Sequence, residues 1–147
     1  MNFVLLFLHV VGATIWTGGH IVLSLVILPR VLRENSLDQL LCFESAYEKI
    51  GIPALFIQII SGFLLAHRMV PDFTNWFDFS NPVGQILVLK IILLLLTIAV
   101  AMDARLRILP NLCEDNLKPM ARHIIAVTLL SILFIFTGVS FRTSWGY

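Results

Sequence analysis

The sequence predicts an all-α integral membrane protein, a four-transmembrane-helix antiparallel bundle with both termini outside the cytoplasm, and three observations carry that prediction. Hydrophobic residues make up 59% of the 147 positions and charged residues only 13%, whereas soluble domains carry about 25% charged residues. Four windows, at about 3–28, 50–70, 83–104 and 120–141, reach the roughly 20 apolar residues that a bilayer core demands. The basic residues are lopsided. Arg30, Arg33, Lys49, Arg105, Arg107, Lys118 and Arg122 flank one side, and Arg68 and Arg142 the other. The positive-inside rule then places the two basic loops in the cytoplasm and the chain as a multi-pass protein of the cell inner membrane. Little sequence remains outside the four windows, so residues 1–147 form a single transmembrane domain. A net charge of +1 with no dense basic cluster excludes a nucleic-acid partner.

Each span has local signals. The first has no basic residue ahead of it, is longer than the 7–15 apolar residues of a signal peptide, and ends in "LPRVLR" instead of a small-residue cleavage site. It is expected as a retained helix that stops at Pro29, which cannot continue the hydrogen-bond ladder. The next stretch, "RENSLDQLLCFESAYEK", sets Leu37, Leu40, Leu41 and Tyr47 among charges. It predicts an amphipathic helix or an extension of the second span. Pro53 falls in the first turns of that span. In "HRMVPDFTNWFDFSNPVG" the rings of Phe73, Trp76, Phe77 and Phe79 gather near the water boundary. Trp76, together with Trp145 and Tyr147, is expected to anchor at headgroup level. Asn81 followed by Pro82 reads as a cap and first-turn proline for the third span. Short connections give an up-down-up-down bundle. Cys42 and Cys113 fall singly in the predicted cytoplasmic loops, where thiols stay reduced.

The chemistry begins at "LHVVGATIWTGGH", residues 8–20. Eleven residues separate His9 from His20, which on a helix is about 16.5 Å of rise and about 20° of rotation. Gly12, Ala13, Trp16 and Gly19 share that face. The stripe thus alternates histidine, small, aromatic, small, histidine. Small residues admit another backbone or a flat ligand, and polar groups at membrane depth face the bundle interior. Lys90 sits in the third span at the level of His9, each about 10 Å below the outer surface. An ammonium at mid-helix costs about 2.5–3.5 kcal/mol on insertion scales, so Lys90 is either a snorkelling anchor or the partner of an anionic or metal-bearing ligand. His67 and Arg68 end the second span on the same side, and His123 opens the fourth at the other end.

Two ligands suit this pattern. Haem b in a membrane bundle takes imidazole axial ligands. In that reading His9 is the first axial ligand, with His20, His67 and His123 as further metal-ligand candidates. Gly12, Trp16 and Gly19 shape the pocket, and Lys90 or Arg68 pairs with a propionate. The protein is then a redox protein, a membrane oxidoreductase that exchanges electrons with a quinone or oxidises a porphyrin precursor, with Lys90 acting on the substrate. Copper is the alternative. Cu(I) favours sulfur ligands, but the four methionines are scattered, and only His67 and Met69 in "AHRMV" offer an entry site. A third reading makes the chain an accessory structural subunit of a larger membrane complex, or a homo-oligomer, with its histidines hydrogen-bonded in the core.

The residues also resemble known families. "LHVVGATIWTGGHIVLSLVILPRVL" and "GQILVLKIILLLLTIAVAMDARLR" resemble the first and third helices of the copper-resistance protein D (CopD) family. The same stretches, with "YEKIGIPALFIQIISGFLL", are similar to the four-helix HemJ-type protoporphyrinogen oxidases. That second resemblance implies His9 as a haem-binding histidine and Lys90 as a functional lysine. The CopD resemblance implies copper handling.

Overall fold

The computed structural model describes residues 3–113 and 117–143, the last three by their backbone alone. The side chain of Arg142, and Trp145 and Tyr147 entirely, lie outside the described residues. Four helices, all long and apolar enough to cross a membrane, make up almost everything described, and no strand occurs among those residues. Helix α1 runs Phe3–Glu34, α2 Leu37–Met69, α3 Pro82–Asp103 and α4 Leu117–Thr143. Helices satisfy every internal backbone donor and acceptor within one segment, which is what lipid demands.

The prolines are placed otherwise than the sequence suggests. Pro29 does not end α1. A π turn at Leu23–Ile27 comes first, and helix continues through Leu28–Glu34. A second π turn, Ala104–Ile108, follows α3 just before Pro110. A proline ring clashes with the carbonyl four residues back, here Leu25 and Leu106, and both lie inside a π turn. The wider pairing, seen where Leu28 N–H bonds the Leu23 carbonyl, re-aims those carbonyls and lets the chain carry the proline. Pro53 lies mid-way along α2 instead of at its start, because the charged stretch before it is part of the same 33-residue helix. Asn35 closes α1 in the left-handed region at φ 50°, and Ser36 N–H reaches back to the Val31 carbonyl at 3.2 Å, a Schellman-type stop.

Asn81 does cap α3, its side-chain oxygen accepting from Val83 N–H at 2.9 Å. Trp76, by contrast, is not an exposed anchor. A short 3₁₀ turn, Phe73–Phe77, folds it back over the bundle end. There it is 4% exposed, stacks on Phe63 at 5.9 Å and donates its indole N–H to the Val70 carbonyl at 2.8 Å. The indole hydrogen is satisfied by protein, so the ring can leave the water boundary. Phe73, Phe77 and Phe79 stay exposed.

The helices are antiparallel. His9 meets Ser61 and Gly19 meets Tyr47 across α1 and α2, and Lys90 meets Gly138 while Asp103 meets His123 across α3 and α4. Helix α1 packs against both α2 and α4, and α3 packs against α4, but α2 and α3 scarcely touch. A buried apolar cluster, including Leu28, Val31, Leu40, Leu117, Met120 and Ile124, lies at the end that carries the basic residues. The middle of the bundle instead holds buried Thr17, Thr97 and Ser131.

Candidate functional site

The histidine stripe turns inward, and two of its small residues have a packing role. A Cβ at Gly12 would come within 2.8 Å of the Ala54 carbonyl oxygen, and one at Gly19 would land on the Tyr47 ring. Another helix fills the space the glycines leave, because α1 and α2 approach backbone to backbone. In this packing Gly12 and Gly19 face a neighbouring helix. Trp16 does line a cavity.

At the aromatic end, the His9 ring lies against Gly62, where a Cβ would stand 3.1 Å from its Cε1. Its Nδ1 is 3.0 Å from both the Gln58 carbonyl oxygen and Ser61 Oγ. A carbonyl only accepts, and the Ser61 hydroxyl donates to the Ile57 carbonyl at 2.5 Å, so the ring hydrogen sits on Nδ1. Nε2 keeps its lone pair. Lys90 of α3 is half-buried, beside Gly138 of α4. Gln58, whose carbonyl meets His9, has its side-chain Oε1 buried without a hydrogen bond among the described residues.

His20 repeats the device. Its Nδ1 is 2.9 Å from the Trp16 carbonyl oxygen, which again leaves Nε2 unshared. Trp16 packs on its ring at 4.4 Å between centroids, and Tyr47 meets it edge-on at 5.6 Å. Thr128 of α4 donates to the His20 carbonyl at 3.1 Å. A metal-binding imidazole almost always gives its other N–H to such an acceptor, which fixes tautomer and ring angle. His9 and His20 are both set up that way.

The remaining sequence candidates stand apart from His9. His67 and Arg68 are exposed, and His67 stacks on Phe73 at 5.1 Å. Met69 beside them is exposed too. His123 bonds the Pro119 carbonyl through Nδ1 at 2.9 Å and Asp103 Oδ2 through Nε2 at 2.7 Å. Neither of its nitrogens is spare. Cys42 and Cys113 are exposed.

A cavity of about 230 Å³ opens at the basic end, lined by Trp16, His20, Glu44, Arg105, Met120 and His123 among others. Sequence reasoning found the histidines but missed Tyr47, Asp103 and Met120. The one signal for Asp103 was an acidic side chain closing an otherwise apolar run. Its volume lies below the roughly 300–1,000 Å³ of pockets that take drug-sized ligands. Among the described residues no three of His, Cys, Asp and Glu gather into a metal-holding group.

The family model described as Copper resistance protein D matches residues 43–141, about two thirds of the chain. The match runs from α2 through α4, so it takes in the fourth helix and leaves His9 and His20 outside. No curated protein and no solved structure matches. A bundle of four membrane-crossing helices with that match makes this chain a member of the copper resistance protein D family.

Proposed function

We propose that this protein moves copper across the cell inner membrane, with both termini outside the cytoplasm. The observation that supports the reading most is the shared state of His9 and His20. Each holds its N–H on a backbone carbonyl and keeps Nε2 for a ligand, on one helix face and at two depths. Imidazole nitrogen is a good copper ligand, and two such rings in series suit passage better than storage.

Between the two levels lie the hydroxyls of Thr17, Thr97 and Ser131, all buried. Thr97 and Ser131 give their hydrogens to carbonyls of their own helices, so their oxygens still face the interior as acceptors. His67 and Met69, exposed at the aromatic end, supply a nitrogen and a sulfur for first capture. Lys90 repels a cation at the His9 level, which keeps that position a stage of transit. The copper ion is the cargo in this scheme, and the chain's own work is to present nitrogen in place of lost water.

The test is Cu(I) flux into proteoliposomes of purified protein. The wild type should exceed empty vesicles clearly, and His9→Ala should lose at least about tenfold, the size of effect expected when a metal contact is disturbed. Flux equal to empty vesicles would end this reading.

A further inference from the structure

The cavity at the basic end contains a second kind of donor that the sequence pattern hides. Met120 is nearly buried, and it lines the same cavity as His20 although the two are a hundred residues apart. We infer that this cavity is a seat for one Cu(I) ion, held between the His20 imidazole and the Met120 thioether with the Trp16 ring as its wall. The inference rests on the copper reading above and gives it a binding site.

Four features of the cavity converge. The donors suit the ion: the thioether favours soft Cu(I) and imidazole serves copper as well, whereas Zn(II) in structural sites takes four ligands, and the described residues offer no group of three His, Cys, Asp or Glu there. His123 is a wall and not a ligand, since Pro119 and Asp103 occupy both of its nitrogens. The volume admits an ion together with several waters, each taking a share of about 30 Å³ in the liquid. The charge is also favourable. Glu44 and Glu48 line the cavity against a single guanidinium, Arg105, and that guanidinium is already paired with Glu48. One carboxylate therefore remains for a cation. The His9 level carries Lys90 instead, so a positive ion gains by moving from the first histidine to the second.

The position adds a route. Both π turns border the cavity, through Leu23 on one side and Ala104 and Arg105 on the other. The scarcely touching α2 and α3 flank it, bridged there by the Glu48–Arg105 ion pair. A soft ion seated at this level is one ion pair away from the basic side.

The experiment is Cu(I) titration of the full chain in nanodiscs against a chromophoric Cu(I) chelator, with tryptophan fluorescence followed in parallel. The wild type should bind with quenching that Trp16→Phe abolishes. Met120→Leu, which preserves core volume, and His20→Ala should each weaken binding about tenfold or more. Zn(II) should not compete. Met120→Leu and His20→Ala that bind and quench like the wild type would overturn the inference while Cu(I) flux, still dependent on His9, kept the transport reading alive. Absence of both flux and binding in the wild type would remove the two together.

Discussion

Tyr47 and His20 share one acceptor, the main-chain carbonyl oxygen of Trp16, at 2.8 Å from the phenol and 2.9 Å from the imidazole Nδ1. That oxygen also stands in the backbone ladder of α1, so both side chains gather on a helical carbonyl. The shared oxygen locks α2 to α1 at the level where the His20 ring must stand. Tyr47→Phe keeps the ring and loses only the hydroxyl. It should cost about 1 kcal/mol, the usual net worth of one hydrogen bond, as a shift in the denaturation midpoint of the detergent-solubilised protein. A neutral result would show that ring packing alone sets the register.

Gly19→Ala is the steric counterpart, because its new carbon falls on the Tyr47 ring. Overpacking of this kind costs about 1–3 kcal/mol. The loss should disappear when the alanine is introduced together with Tyr47→Ala, since contacting residues couple in a double-mutant cycle. Additive losses in unfolding experiments would refute the contact.

Gly62→Ala presses on the His9 ring, whose Cε1 lies 3.1 Å from the added carbon. Gly62 itself offers no ligand, but its place beside the ring sets the ring's angle. Disturbing such an outer contact typically lowers metal affinity about 10–100-fold. Cu(I) flux should fall by about tenfold with the fold intact by circular dichroism. Unchanged flux would separate His9 from transport.

The loop over the aromatic end should respond to acid. Asp72 accepts from the Thr74 N–H and hydroxyl, and Asp78 from the Ser80 hydroxyl and N–H. Those bonds hold both carboxyls below their ordinary value of 3.8. A lowered carboxyl contributes stability that is complete above the ordinary value and is lost as pH falls through the lower, folded one. Trp76, carried between these two turns, should keep a buried-type emission at pH 5 and shift to the red only below about pH 3.8. A shift already at pH 5 would show that other groups hold the loop.

The class of fold, the four spans, the cap at Asn81 and the shared face of the histidines are legible in the residues alone, because each follows from composition, hydrophobic length or helical spacing within one segment. Helical spacing places His9 and His20 on one face, since eleven residues nearly close three turns whatever surrounds them. What that face meets depends on how the helices pack. Gly12 and Gly19 read equally as room for a ligand or for a neighbour, and the answer, Ala54 and Tyr47, comes from another helix. Pro29 and Pro53 read as boundaries because the rule is local, but π turns and a continuous α2 absorbed or enclosed them. Residue type alone assigns Trp76 to the surface, and a hydrogen bond to the carbonyl six residues back holds it buried instead. Met120 and His20 carry no mutual signal along the chain. They share a cavity because α4 returns beside α1, and no local pattern encodes a meeting across a hundred residues.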